Sequence, residues 1–206
     1  METKRRLKIT NIFDVLYRDN TRPFGDQPED LVILAAQYLS PNSKVIDLGA
    51  GDGRNTIYLA RGHRVRAVDV SEVGLSRIQD QARAVNLTVT TTVADLSEFI
   101  FDQSYHLVVS TFVMHYLEPS PAQNLIEQAV QHTLPAGLNA IAVFTDSGYF
   151  YTKDRLGKTP HYYPKPTELV EFYQSQGWSI HQNRIKRRRS LGGNFNHVQH
   201  LIAQKP

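Results

Sequence analysis

The stretch VIDLGAGDGRN at residues 45–55 constrains the fold more than any other part of the sequence. A short, β-branched, apolar run ends in three glycines, Gly49, Gly51 and Gly53, and a helical pattern begins directly after them. Glycine permits a tight turn, a positive φ and the close approach of a ligand to the backbone. A plain strand-to-helix turn is the simpler alternative. Asp47, two residues before the first glycine, favours a ligand-binding loop instead.

From residue 30 onwards, strand-like and helix-like segments alternate, which predicts an α/β domain with a mostly parallel sheet. The strands are predicted at residues 44–48, 64–69, 87–93, 106–110, 138–145, 178–186 and 197–203. Helices are predicted at residues 30–39, 54–61, 121–134 and 167–176, with a further helix capped by Ser71. The short connection at residues 190–194 makes the last two strands an antiparallel pair. Residues 146–166, rich in Gly, Pro, Tyr and Lys, are predicted to form a long loop.

Length and composition fit one domain. The chain has 206 residues, of which 41% are hydrophobic and 21% charged, so it has enough apolar side chains for a sizeable core. We divide it into an N-terminal lid segment (1–29), a cofactor-binding core (30–145) and a substrate-side loop with a C-terminal hairpin (146–206). The absence of a signal-peptide pattern and of a membrane-spanning run predicts a cytoplasmic protein that does not enter the membrane.

Cysteine is missing from the sequence. Disulfides, thiolate nucleophiles and cysteine-ligated metal sites are therefore excluded, whereas a site made of histidine and carboxylates is not. No metal ligands are assigned.

The net charge of +3 is concentrated in two places. Residues 184–189 carry five cations and no acid, and residues 4–8 carry four cations, while the rest of the chain is mildly acidic. A strand would place Arg184, Lys186 and Arg188 on one face, and Arg187 and Arg189 on the other. The run is either a solvated edge strand or a surface that meets an anion.

Two classes of ligand use such a glycine loop. A dinucleotide site prefers G-x-G-x-x-G, but here the third glycine comes one residue early, and Asp47 would repel a pyrophosphate. A cationic ligand without phosphate suits the carboxylate better, and S-adenosylmethionine is such a ligand. Asp69, twenty residues after Gly49, is a candidate to accept hydrogen bonds from ribose hydroxyls, and Asp95 is a candidate for the adenine amino group. Either aspartate alone fits a helix cap or a solvated loop acid as well, and their occurrence at consecutive strand ends favours the ligand site.

Three segments resemble a known family. DLGAGDGRN at 47–55, STFVMHYLE at 110–118 and the final strand pair with Gln204 and Lys205 are similar to the tellurite-resistance TehB group of class I S-adenosylmethionine-dependent methyltransferases. The resemblance covers nearly the whole chain. It implies a Rossmann-like fold whose seven-stranded, mostly parallel sheet has one antiparallel strand and helices on both faces. It also implies that S-adenosylmethionine is the cofactor and S-adenosylhomocysteine the product.

The resemblance also assigns roles to individual residues. The methionine part of the cofactor would contact the glycine loop and the end of the fourth strand: Asp47, Gly49, Gly51, Ser110 and Thr111. Ala50, Arg54 and Asn55 of the same motif are further cofactor-binding candidates. The ribose and adenine would contact the ends of the second and third strands: Asp69, Val70, Asp95 and Leu96. Tyr17 is the candidate that closes over the cofactor.

The acceptor should lie beyond the fourth and fifth strands. His115 follows the fourth strand and is the best candidate for a general base, with a packing role as the alternative. The tyrosines and Phe150 of residues 149–163 would form either a lid or a cover for the core. Arg188 is the candidate contact to an anionic acceptor.

We predict a methyltransferase that acts on a small molecule, of which a tellurite- or selenite-type oxyanion is one candidate. An RNA methyltransferase that grips phosphates with its basic patches is the second hypothesis. A non-catalytic S-adenosylmethionine-binding protein is the third, and a dinucleotide-binding protein is a minor one. The sequence leaves a monomer and a homodimer equally open.

Overall fold

A twisted sheet of seven strands organises the computed structural model, which describes residues 12–20, 22–155, 161–189 and 192–206. The strands are β1 (Lys44–Leu48), β2 (Arg64–Asp69), β3 (Val89–Val93), β4 (Tyr105–Thr111), β5 (Thr133–Gly148), β6 (Ser179–Arg189) and β7 (Phe195–Gln204). Their spatial order is β3-β2-β1-β4-β5-β7-β6. Strands β1 to β5 pair with one another in parallel, and β7 is antiparallel to both β5 and β6. The predicted sheet with one antiparallel strand is confirmed.

Helices cover both faces of this sheet. They are α1 (residues 12–19), α2 (Asp30–Ala36), α3 (Arg54–Leu59), α4 (Glu72–Ala84), α5 (Pro119–Gln131), α6 (Tyr149–Arg155) and α7 (Glu168–Ser175), with a short 3₁₀ helix at Met114–Tyr116. The predicted cap of α4 is present, since the Ser71 hydroxyl accepts a hydrogen bond from the Gly74 amide at 3.0 Å. In the part of the chain that the structure describes, no helix is long and apolar enough to span a bilayer.

The core consists of two large apolar layers, one on each side of the sheet. Successive strand residues point to opposite faces, so Val45 packs in the layer of α2 while Ile46 packs in the layer of α5 and α7. The same alternation sends Leu107 and Val108 of β4 into different layers. Burial on both faces explains why the central strands read as continuous apolar runs.

The predicted loop at residues 146–166 is wrong for its first part. Strand β5 continues to Gly148, which pairs with Asn196 of β7, and residues 149–155 form α6. The Phe150 ring packs edge-on against Phe144, with 5.0 Å between the ring centroids. These partners come from β5 and β7, so a local Gly, Tyr and Lys composition could not indicate a helix here.

One glycine of α4 fixes how closely this helix approaches the glycine loop. A Cβ atom added to Gly74 would lie 2.5 Å from the carbonyl oxygen of Gly51. We expect Gly74→Ala to lower the free energy of unfolding by about 1–3 kcal/mol, because backbone on both sides would have to move. Gly62→Ala is the matched control, since its added Cβ meets nothing within 4 Å. Urea denaturation measures both, and equal stabilities would contradict the close approach.

Candidate functional site

The glycine loop lies at the carboxyl end of β1 and takes a conformation that larger residues resist. Gly49, Gly51 and Gly53 have φ angles of 72°, 59° and 98°. Space is restricted as well, since a Cβ on Gly49 would lie 2.7 Å from the side chain of Val113, and one on Gly51 would lie 2.8 Å from the Tyr17 hydroxyl. Glycine is therefore required at 49 and 51 by backbone angle and by crowding together.

Asp47 is completely buried near the end of β1. Its Oδ2 accepts a hydrogen bond from the Thr56 hydroxyl at 2.7 Å, while its buried Oδ1 has no hydrogen-bond partner among the described residues. Burial raises the pKa of this carboxyl to about 6, and the hydrogen bond from Thr56 opposes the rise. A cation or donor brought to Oδ1 would stabilise the ionised form.

Asp69 ends β2 and holds the glycine loop against the start of α4. Its Oδ2 accepts the Gly51 amide at 2.8 Å, and its Oδ1 accepts the Ser71 amide at 2.8 Å. Burial raises the pKa of Asp69, and these two backbone hydrogen bonds oppose the rise. A carboxylate offers about four lone-pair sites, so it retains capacity for hydroxyl donors from a ligand.

Asn55 and Thr111 connect the loop to the rest of the carboxyl edge. The Asn55 side chain donates to the Thr111 hydroxyl at 2.9 Å and accepts the backbone amide of Glu29 at 3.0 Å. Ser110, which lies beside Leu48 in the sheet register, has a buried hydroxyl with no hydrogen-bond partner among the described residues. Asn55 is thus a structural link, and the Ser110 hydroxyl is the more available group.

The remaining cofactor candidates surround the same edge. Asp95 follows β3, and its Oδ1 accepts the amide and the hydroxyl of Ser97 at 2.9 and 2.6 Å. Leu96 is buried and Val70 is half-buried. Tyr17 of α1 is buried with its hydroxyl over Gly51, and burial together with the nearby Asp69 carboxylate raises its pKa, so it stays a neutral phenol.

His115 lies in the 3₁₀ helix beyond β4 and is buried in an aromatic cluster. The cluster comprises His115, Tyr116, Phe144, Phe150 and Tyr163. The imidazole centroid is 4.0 Å from the ring of Tyr116 and 4.8 Å from that of Phe144. The aromatic residues predicted as a lid or a cover therefore contribute Phe150 and Tyr163 to the surroundings of His115.

Arg188 reaches from β6 to a residue that the sequence analysis missed. Its Nη1 donates to both carboxylate oxygens of Glu29, at 2.8 and 2.9 Å, and its guanidinium lies over the Phe112 ring, 4.4 Å from the centroid. Arg54, at the start of α3, forms a second ion pair with Glu29 at 2.8 Å. Nothing in the local sequence distinguishes Glu29, because both partners are distant along the chain.

The two faces of the basic hairpin differ as the sequence predicts. Lys186, on the face of Arg188, pairs with Asp30 at 2.8 Å. On the opposite face, the guanidinium of Arg187 stacks on the Phe195 ring at 3.7 Å. Several cations of residues 184–189 therefore contact side chains of the same chain, among them Lys186, Arg187 and Arg188.

A family model described as "Tellurite resistance protein TehB" matches residues 24–185, which include the glycine loop, the end of β4 and the first part of β6. The chain belongs to the TehB family.

The TehB family assignment agrees with individual relatives. A Haemophilus influenzae protein named "Probable S-adenosyl-L-methionine-dependent methyltransferase TehB" is 29% identical over 170 residues, which are 75% of this chain and 57% of that protein. The crystal structure of TehB from Haemophilus influenzae has a TM-score of 0.72 at 25% identity, covering 85% of this chain and 61% of that one. The chain thus spans about 57% of the length of this curated TehB relative.

A more distant structure shares the fold from end to end. Magnesium protoporphyrin IX methyltransferase (ChlM) from Synechocystis PCC 6803, solved with bound SAH, has a TM-score of 0.73 at 19% identity. The match covers 98% of this chain and 99% of that one. This TehB-family chain therefore has the Rossmann-like class I methyltransferase fold.

The buried carboxyl of Asp47 should make stability depend on pH. Its folded-state pKa of about 6 lies above the ordinary value of 3.8, so the folded protein holds the proton more tightly than the unfolded chain. This contribution is complete below pH 4 and is lost as the pH rises through 6, by about 3 kcal/mol at most. In Asp47→Asn, we expect the change in unfolding free energy between pH 4 and 8 to differ from wild type by that amount.

Chemical denaturation at pH 4, 6 and 8 measures this dependence. Asp80→Asn, which changes an exposed carboxylate of α4, is the control and should leave the pH profile close to that of wild type. Identical profiles for Asp47→Asn and wild type would show that the Asp47 carboxyl is not penalised by burial.

Proposed function

We propose that the chain binds S-adenosylmethionine at the carboxyl edge of the sheet and transfers its methyl group to a small-molecule acceptor, leaving S-adenosylhomocysteine. The observation that carries this proposal is the row of carboxylates along that edge. Asp47, Asp69 and Asp95 lie at or just after the ends of three strands that are neighbours in the sheet. A row of acids around a glycine loop suits a cationic ligand and disfavours the pyrophosphate of a dinucleotide.

Each end of the cofactor would meet groups suited to it. The Oδ1 of Asp47 and the Ser110 hydroxyl, both unpartnered among the described residues, would accept or donate hydrogen bonds at the methionine end, beside Gly49, Ala50 and Gly51. The remaining lone pairs of Asp69 would accept the ribose hydroxyls.

The adenine end completes the proposed cofactor site. The adenine would lie between Val70, Asp95 and Leu96, and Tyr17 would close over the loop as part of the N-terminal lid segment, residues 1–29. Residues 1–11 and 21 of that segment lie outside the described residues. When bound, S-adenosylmethionine supplies a methyl carbon on a positively charged sulfur.

The protein's main task would be to align the acceptor with that methyl group, and to remove a proton where the acceptor carries one. His115 is the candidate base, because the 3₁₀ helix holds it beyond the end of β4. Arg188, stacked on Phe112, is the candidate contact for an acceptor oxygen. The name of the family and this guanidinium support a tellurite- or selenite-type oxyanion as one candidate acceptor.

The charges of the hairpin favour a small molecule over RNA. Lys186 and Arg188 are paired with carboxylates and Arg187 is stacked on Phe195, so few cations of the described part of the hairpin remain for a phosphate backbone. The other basic patch, residues 4–8, lies outside the described residues. A protein that binds the cofactor without catalysis is the other alternative, because methyl transfer requires no indispensable side chain. The cytoplasmic location stays a prediction, as does an oligomeric state of monomer or homodimer.

Calorimetry with S-adenosylmethionine, S-adenosylhomocysteine and NADH tests the cofactor assignment. We expect both sulfur ligands to bind and NADH not to bind. Transfer of a labelled methyl group to selenite, to a panel of small organic acceptors and to RNA then tests the acceptor class. Failure of S-adenosylmethionine to bind would refute the proposal, and binding without transfer to any acceptor would favour the non-catalytic alternative.

Asp69→Ala should weaken binding of S-adenosylhomocysteine by about 1–3 kcal/mol, because the ribose hydroxyls would lose a charged acceptor. Asp80→Ala removes an exposed carboxylate of α4 and is the matched control. Asp69→Asn, which keeps one carbonyl oxygen for the loop amides, separates ligand contact from loop distortion. If Asp69→Ala bound S-adenosylhomocysteine as tightly as wild type does, the ribose would bind elsewhere.

His115→Gln should lower the turnover of a protonated acceptor by about 10²–10⁴-fold, the usual range for loss of a general base. Affinity for S-adenosylhomocysteine should stay unchanged. The control is His132→Gln, because His132 also stacks on an aromatic ring, at 5.3 Å from Phe101, but follows α5 at the opposite end of β4. A turnover equal to that of the control would assign His115 to packing alone.

A further inference from the structure

Glu29 is a buried carboxylate on the side of the sheet edge where we propose that the acceptor binds. Its side chain is only 8% exposed, and it pairs with two arginines from different elements, Arg54 of α3 and Arg188 of β6. Its backbone amide is fixed as well, since it donates to the Asn55 side chain at 3.0 Å. Glu29 therefore joins the helix that follows the glycine loop to the basic hairpin.

The position of Glu29 explains why its carboxylate is available for these arginines. It lies at the N-cap of α2, but its side chain makes no capping hydrogen bond. The carboxylate instead points towards the hairpin, where it holds the Arg188 guanidinium over Phe112. Charge-assisted hydrogen bonds of this kind are stronger than neutral ones, so the orientation of Arg188 depends on Glu29.

A cavity of about 430 Å³ opens between the segment before α2 and the hairpin. Its charged and polar lining includes Glu29, Asp30, Arg54, Lys186, Arg188 and His200. Burial, together with the nearby Lys186, lowers the pKa of His200 to about 4, so this imidazole stays neutral. Asp26 and Arg187 also line the cavity, but they have partners in Arg22 and Phe195.

The charges of this lining almost cancel. Four cations and three carboxylates line the cavity, which leaves an excess of one positive charge: Arg54, Lys186, Arg187 and Arg188 against Asp26, Glu29 and Asp30. Without Glu29 the excess would be two, and both Arg54, whose side chain is 13% exposed, and Arg188, whose side chain is 40% exposed, would lose this carboxylate partner. A multiply charged anion would then gain a strong site, whereas the native cavity suits a neutral or singly charged molecule.

We propose that Glu29 is a specificity-determining residue: it restricts the acceptor cavity to small molecules with at most one negative charge, by occupying Arg54 and Arg188. This inference rests on the proposed function, because it defines the acceptor class of the same site. Glu29 acts through the two arginines and is therefore a positioning residue.

Calorimetric titration with sulfate, a doubly charged oxyanion, tests the proposal on the full chain. We expect Glu29→Gln to bind sulfate about tenfold more tightly than wild type, and Glu29→Asp to remain close to wild type. Asp30→Asn is the matched control, since it removes the same charge from the neighbouring residue of the same cavity. Its carboxylate is 83% exposed and pairs with Lys186 instead, so we expect less than a twofold gain.

A double variant tests whether the gain requires Arg188, while Asp30→Asn, which changes the net charge by the same amount, tests for an effect of net charge alone. If Glu29 acts through Arg188, the gain should disappear in the Glu29→Gln, Arg188→Gln protein. An unchanged affinity in Glu29→Gln, an equal gain in Asp30→Asn, or a gain that persists in the double variant would each overturn the proposal. Thermal melts identify variants that fail to fold. If Glu29→Gln fails to fold, the sulfate affinities of Glu29→Asp and Glu29→Ala are compared instead.

The sulfate titrations need no cofactor, so the two proposals fail separately. If wild type does not bind S-adenosylhomocysteine, the proposed function is wrong, while the sulfate contrast still reports whether Glu29 controls the charge of the cavity. If S-adenosylhomocysteine binds and the sulfate contrast is absent, the methyltransferase proposal stands and the role of Glu29 is refuted.

Discussion

The hydrogen bond from the Gly51 amide to the Asp69 carboxylate holds the candidate site together. It joins the loop after β1 to the end of β2, and the second oxygen of the same carboxylate holds the start of α4 through Ser71. The positive φ angles of the glycines, the close approach of Gly74 and the position of Tyr17 over the loop all depend on this arrangement. One buried carboxylate thus organises three elements before any ligand arrives.

Much of the fold could be predicted because the sequence patterns that indicate it lie within short segments of the chain. The strands β1 and β2, the cap at Ser71 and the glycine loop each follow from residues within a few positions of one another, and the structure places them where the sequence indicates. The antiparallel arrangement of β7 followed from a short connection. The two faces of the hairpin followed from the period of a strand.

What could not be predicted depends on distant partners. The ion pair of Arg188 with Glu29 joins residues 159 positions apart, and no local pattern marks either as a partner of the other. Helix α6 exists because Phe150 packs on Phe144 and its amide donates to Asn196, contacts that only the assembled sheet provides. Ser110 was named as a lining residue from resemblance, but only the structure shows that its hydroxyl is buried without a partner.

The place of β7 between β5 and β6 determines the order in which the two halves of the site can form. Strands β1 to β4, which carry the glycine loop and its acids, pair with one another, and in the described sheet none of them pairs with β6 or β7. Strand β6 precedes β7 along the chain but borders the sheet only through it. Arg188, which faces Glu29, therefore reaches its position only when β7 pairs with β5, so the glycine loop and its acids can assemble before the ion pair of Arg188 with Glu29 forms.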